Sequence, residues 1–199
     1  MNAQRLNFEE DYILENEVTL LRPLRASDFE EMLKYAIAEP KLWTYSLLSA
    51  DGKENMEKYL QAALEAKSAK TSYPFAVFDK RKNRFAGSTR FYDFSQRHLS
   101  TQLGYTWYGK EFWGRGLNKN CKYLMLEFAF EKLGLERVEF RADNKNARSI
   151  AAMKSMGCTV EGVLRNNCAS YSGRRDSIVL SILKQEWFER VKGTLYQKC

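Results

Sequence analysis

The chain has 199 residues, 44% hydrophobic and 29% charged, with 12 Phe, 11 Tyr and 4 Trp. These values suit one folded domain with a real core and exclude a disordered chain. The net charge of +7 favours an anionic partner, while the absence of any apolar run near the ~20 residues that cross a bilayer argues against a membrane span.

Residues 1–17 read as a polar N-terminal extension, without the apolar core of a signal peptide, so the cytoplasm is the expected location. VTLLRPL (18–24) is the first expected strand. Ser27 is the expected N-cap of the helix in RASDFEEMLKYAIA, which Pro40 stops. A second helix is expected from about Lys53 to Ala69, with Met56, Leu60, Ala63 and Leu64 on one face. YPFAVFD (73–79) and RFAGSTRFYDF (84–94) flank the turn KRKN as a hairpin, and LSTQLGYTWYG (99–109) follows as a strand. From Leu117 the pattern is helical, with Cys121, Leu124, Met125 and Phe128 on the same face, and Gly134 ends it. LERVEFRA (135–142) is a strand, Asn146 caps a short helix reaching Gly157, and two strands, 158–167 and 176–183, flank the turn YSGRR. QEWFERVK closes the domain, and residues 193–199 form a tail.

The cysteines, Cys121, Cys158, Cys168 and Cys199, form no C-x-x-C pair, and His98 is the only histidine. No metal site is expected, and the thiols are expected to be reduced. The clusters Lys80-Arg81-Lys82 and Arg174-Arg175 read as solvated turns. They form no concentrated basic stripe, and no RNA- or DNA-reading motif is present, so nucleic acid is not the expected partner.

The stretch EFWGRGLNKN (111–120) carries the chemistry. A strand, a glycine loop and a helix N-terminus together make an anion site, because the first helical N–H groups lack internal partners and the helix dipole adds positive charge. Gly114 and Gly116 permit a sharp turn and a close approach to phosphate, and Arg115 can add a charge at the rim. The third glycine of a dinucleotide fingerprint and the G-K-[ST] of a P-loop are both absent.

LGYTWYG, EFWGRG, NARSIAAMKSMG, EGVLR and RRDSIVLSILKQEW occur in that order. The combination resembles the GNAT superfamily of acetyl-CoA-dependent N-acetyltransferases, of the RimJ/RimL type, over roughly residues 18–192. The resemblance implies an α/β (α+β) fold: a mixed, mostly antiparallel sheet of about seven strands, flanked by helices, with a splayed central pair. It implies acetyl-CoA as cosubstrate, its pantetheine paired to the strand around Tyr105 and Trp107. Backbone groups from Trp113 through Gly114, Arg115, Gly116, Leu117 and Asn118 would take the pyrophosphate. Asn146 would contact the pantetheine arm. Ser149 would lie near the sulfur and protonate the departing thiolate, since the tyrosine used by many relatives is Met153 here. Tyr105 is a second catalytic candidate.

The family pattern departs at three positions. Glu111 stands where the phosphate loop often begins with Gln or Arg, and the positions that commonly carry the basic glutamate are Gln102 and Cys168. An α-amine, with pKa ~7.7–8.0, needs less help losing its proton than a lysine at ~10.4, which favours an α-amine acceptor such as a protein N-terminus. Trp43 reads either as an aromatic wall for the acceptor, beside Cys168, or as a packed loop residue. A small-molecule or peptide amine is therefore the expected acceptor, a homodimer stays open, and the competing reading is a catalytically silent acyl-CoA sensor or partner subunit.

Overall fold

The structure is a computed structural model describing residues 5–170 and 173–199, so Tyr171 and Ser172 of the expected YSGRR turn lie outside the described residues. In chain order the elements are β1 (Leu14–Glu15), β2 (Thr19–Pro23), α1 (Phe29–Ala38), α2 (Gly52–Ser68), β3 (Ser72–Asp79), β4 (Arg84–Ser95) and β5 (Ser100–Tyr108). Then follow α3 (Leu117–Glu127), β6 (Arg137–Asp143), α4 (Ala147–Met156), β7 (Thr159–Ser170), β8 (Gly173–Leu183) and the helical run α5 over residues 184–196, π-helical across Trp187–Val191. The strands form one sheet of eight in the order β1-β2-β3-β4-β5-β6-β8-β7. The strand beyond the expected seven is β1, two residues long and paired to β2.

Every neighbouring pair is antiparallel except β5 and β6. That parallel pair holds only from Ser100–Arg137 to Gln102–Glu139. Beyond it β5 runs on to Tyr108 bonded to β4 alone, while β6 stays on β8. The expected splay is this parting, and it opens a wedge at the middle of the sheet.

Successive residues of a strand point to opposite faces. Thr89 of β4 receives a hydrogen bond from Lys122 of α3, while the neighbouring Arg90 lies over the Tyr59 ring of α2. The helices α2 and α3 therefore cover opposite faces. On the α2 side, Tyr35 of α1 donates to the Phe85 carbonyl at 2.8 Å and packs on Trp107.

Several local expectations are corrected. Ser27 caps no helix: a 3-10 turn, Ala26–Asp28, precedes α1, and the buried Asp28 carboxylate accepts the Arg25 N–H at 2.8 Å and pairs with Arg22. The described part of the expected extension, residues 5–17, packs on the sheet. Tyr12 is buried there, donates its N–H to the Tyr73 hydroxyl at 3.2 Å and meets Phe128 at 4.8 Å. The strands β7 and β8 run longer than expected, and Glu161 is bulged where the pairing slips between Val160 and Gly162.

Candidate active site

The glycine loop leads directly into α3. Gly114 and Gly116 have φ of +70° and +82°, and Gly116 is the N-cap residue of α3. A Cβ at Gly114 would meet nothing within 4 Å, so the strain there would be conformational, and the space above the loop is open. That opening, beside a helix start whose first N–H groups have no helical partner, fits a phosphate. The Trp113 amide, expected among the phosphate donors, is turned inward instead and donates to the Lys110 carbonyl at 3.0 Å.

The basic turn between β3 and β4 is not merely solvated. Arg81 donates to the Arg115 carbonyl at 3.1 Å while gripping the buried Asp79. Lys82 and Arg84 pair with Glu111 at 2.7 and 3.2 Å. Glu111 thus spends its charge on the hairpin, which explains how an acidic residue is tolerated beside the glycine loop. Asn120 braces the loop from behind, donating to the Gly116 carbonyl at 3.2 Å and accepting from Asn16 at 2.7 Å.

The β5 wall of the wedge is bulged. Ser88 pairs with Trp107 and Arg90 with Gly104, so Tyr105 and Thr106 together face Thr89 alone. Tyr105 takes a left-handed φ of +50°. A bulge interrupts the ladder and re-aims backbone groups, which is what a strand needs to present an N–H outward. The bulge is fixed from the α3 side by Lys122, only 4% exposed, whose Nζ donates to Thr89 Oγ1 at 3.0 Å and Thr106 Oγ1 at 2.7 Å. Burial pushes this ammonium down to about 8. The sequence pattern showed nothing of this role, since a lysine beside Cys121 falls off the apolar stripe of the helix.

On the α2 side, Tyr105 meets Tyr92 edge-on at 5.1 Å, and the Arg90 guanidinium stands 4.1 Å from its ring centroid. Burial raises the Tyr105 phenol above its ordinary value. It keeps its proton at neutral pH and can donate one, but it is a poor base. The structure also brings up a carboxylate that the sequence did not single out: Glu139 of β6, cross-strand partner of Gln102 at the point of the splay. Arg137 and Arg141 hold it at 2.8 and 2.7 Å.

The other wall is the start of α4. The Asn146 side chain accepts the Ser149 N–H at 3.1 Å, the expected cap, and Met153 is buried. Between Asn146 and Ser149, Arg148 stacks its guanidinium 3.4 Å from the Trp113 ring centroid, joining α4 to the glycine loop. Trp43 is 3% exposed and packs on Trp107 at 5.0 Å and Tyr59 at 5.9 Å, so it is a core aromatic rather than an open wall. The Trp107 side chain belongs to the same cluster, leaving only its backbone for the wedge. Cys168 lies on β7 opposite Arg175, its sulfur 3.9 Å from Ser177 Oγ.

The chain as a whole is similar to known proteins. The acetyltransferase (GNAT) domain family matches residues 19–159. The Bacillus subtilis (strain 168) protein YjcK, described as a probable N-acetyltransferase, is 25% identical over 179 residues, covering 87% of this chain and 98% of that protein. A T. thermophilus protein described as an acetyltransferase is 31% identical, with TM-score 0.84, covering 94% of this chain and 96% of the other. RimJ of Mycobacterium smegmatis, in complex with CoA-disulfide, shares the fold at 18% identity, with TM-score 0.79 and coverage of 94% and 93%.

Proposed function

The chain belongs to the GNAT acetyltransferase family, and from that premise we propose that it moves the acetyl group of acetyl-CoA to a primary amine by direct attack in a ternary complex. The observation that carries this reading is the wedge between β5 and β6, which opens beside the glycine loop at the start of α3. We take the whole described chain as one acetyltransferase domain: β1 of the expected N-terminal extension is a strand of the sheet, and the expected tail 193–199 continues α5 with Leu195 buried.

Acetyl-CoA supplies an activated acyl group on a sulfur leaving group. The protein's residues then have three tasks. Gly114, Arg115, Gly116, Leu117 and Asn118 hold the pyrophosphate through backbone N–H groups and the helix dipole. The bulge at Tyr105 and Thr106 presents backbone N–H toward the thioester carbonyl, a rigid donor where negative charge develops. Asn146 orients the start of α4, and the Ser149 hydroxyl supplies a proton to the departing sulfur as the C–S bond breaks, while the proton shed by the newly acylated amine passes through water to restore the serine. Tyr105, kept protonated by burial, is a second donor.

The acceptor in this reading is an α-amine, as at a peptide N-terminus. The residues near the wedge support it: Glu139 is already engaged by two arginines, and neither Gln102 nor Cys168 is a carboxylate. RimJ of Mycobacterium smegmatis and a ribosomal-protein-serine acetyltransferase of Vibrio cholerae share the fold, which makes a ribosomal N-terminus a reasonable first acceptor to try. The test follows CoA release from acetyl-CoA over a panel of peptide N-termini, lysine side chains, amino acids and polyamines between about pH 6.5 and 9, a range that spans the ordinary α-amine pKa. Turnover on α-amines at neutral pH is expected. A clear preference for lysine at neutral pH would overturn the acceptor class, and acetyl-CoA binding without any turnover would favour the silent sensor.

A further inference from the structure

Among the described residues, seven buried side-chain polar atoms lack a hydrogen-bond partner, and five belong to Trp43, Ser88, Arg90 and Trp107. Those four residues form one cluster on the α2 face of the sheet. Ser88 and Arg90 lie two apart on β4, and Ser88 pairs across to Trp107. Trp107 touches Trp43 at 5.0 Å, Trp43 touches Tyr59 at 5.9 Å, and Tyr59 lies 5.1 Å from the Arg90 guanidinium. Four of the five atoms are N–H groups that can only donate. Four buried donors with no bonded acceptor, beside a single hydroxyl, are costly unless a further oxygen satisfies them.

Arg90 is the centre of the problem. It is 3% exposed, and no described carboxylate pairs with it. The Tyr59 and Tyr105 rings offset its charge through their faces, at 5.1 and 4.1 Å. A ring face does not satisfy the N–H groups at the guanidinium edge. The two unpartnered nitrogens, Nε and Nη2, are the adjacent pair that forms the side fork of an arginine, whose spacing matches the two oxygens of a carboxylate. Glu139 is engaged by Arg137 and Arg141, and Asp93 is exposed. A second cation, Arg175, reaches the same side, donating to the Tyr45 carbonyl at 3.4 Å and to Ser177 Oγ at 3.1 Å.

We propose that the side fork of Arg90 receives a carboxylate of the acceptor, so the acetylated amine sits on a molecule that carries a carboxylate close to that amine. This rests on the acetyltransferase reading above and narrows its acceptor. The position of Arg90, against Tyr105 at the bulge, sets the short separation between the two groups. A free amino acid and a peptide whose second or third residue is acidic both present this chemistry.

The test uses the full chain and paired acceptors, with CoA release as the readout. One arm compares amino acids with their carboxamides. A second compares C-terminally amidated peptides carrying Asp or Glu at the second or third position with their Asn or Gln counterparts. A third uses alkyl diamines. In one of the first two arms the carboxylate member is expected to be preferred by about ten- to hundredfold in kcat/KM, mostly through KM, and the arm identifies the source. In Arg90→Gln that preference is expected to collapse while the acetyl-CoA Kd stays as in wild type. Arg90→Lys keeps the charge without the fork and is expected to keep only part of the preference. Equal or better turnover of carboxamides or diamines would overturn the proposal and assign the cluster to buried water. Retention of the preference in a folded Arg90→Gln would also overturn it. Acetyl-CoA binding with no turnover in any arm overturns this proposal and favours the silent sensor, whereas failure to bind acetyl-CoA overturns the acetyl-CoA reading itself. If Arg90→Gln fails to fold, the wild-type pairs and Arg90→Lys still decide.

Discussion

The Arg148 guanidinium stacks 3.4 Å from the centroid of the Trp113 ring, tying the first turn of α4 to the glycine loop across the parted strands. Trp113 is 37% exposed even with this stack, and its indole N–H donates to the Tyr108 carbonyl at 2.9 Å, so these two contacts together hold the ring. Cation–π contacts at such sites contribute about 0.5–1 kcal/mol. Trp113→Ala is expected to weaken acetyl-CoA binding by about two- to fivefold, because a looser loop must be ordered on binding. Titration calorimetry on the variant measures this. An unchanged Kd would mean that Arg81 and Asn120 alone order the loop.

Gly114→Ala separates strain from steric conflict. The added methyl meets open space, but φ of +70° is unfavourable for alanine, a cost of about 1–2 kcal/mol. A modest fall in Tm should accompany a larger loss of acetyl-CoA affinity, about tenfold or more, as the methyl occupies the space that a phosphate needs. Equal affinity in wild type and variant would place the pyrophosphate elsewhere.

Ser149 and Asn146 have separable roles. Asn146 accepts the backbone N–H of residue 149, so Asn146→Ala removes a cap at a cost of about 1 kcal/mol. Ser149→Ala leaves that N–H in place. It is expected to leave stability nearly unchanged and lower kcat by about tenfold or more, toward the low end of what a proton donor contributes. Stability by denaturation and kcat from CoA release together decide the role, and a normal kcat in Ser149→Ala would remove the serine from the chemistry.

Lys122 gives the fold a pH signature. Burial lowers its pKa from 10.5 to about 8, so between those values the unfolded chain binds more protons than the folded one. Stability contributed at this site therefore rises with pH through that window. The buried thiols of Cys121 and Cys158 act in the opposite sense, since burial raises both, Cys158 to about 12, and their contribution is lost as pH climbs above about 9. Lys122→Met isolates the lysine. From about pH 7 to about pH 10, wild type should gain on the order of 1–2 kcal/mol relative to the variant, read from urea midpoints at each pH. A constant difference would show that the ammonium is as well solvated in the folded state as in water.

Much of the protein could be read along the chain. The hairpin around KRKN, the helix face of Leu117, Cys121, Leu124 and Met125, the glycine start of α3 and the Asn146 cap are all set by residues within a few positions of one another, and each appears where the local pattern puts it. Turn chemistry, caps and periodicity are short-range, so sequence alone determines them.

The residues that the sequence left ambiguous are those whose state depends on a distant partner. Trp43 is a core residue because Trp107 and Tyr59 meet it. Glu111 is tolerated because the hairpin supplies Lys82 and Arg84, 29 and 27 residues earlier in the chain. Arg90 and Lys122 look like surface cations in the chain and are buried in the fold, one on each face of the same bulge. Burying a charge is decided by what the other strands and helices bring to it, and that information is carried by the register of β4 on β5 and by the parting of β5 from β6. Local pattern determined the elements and the glycine loop, and only tertiary packing decided where the wedge opens and which charges face it.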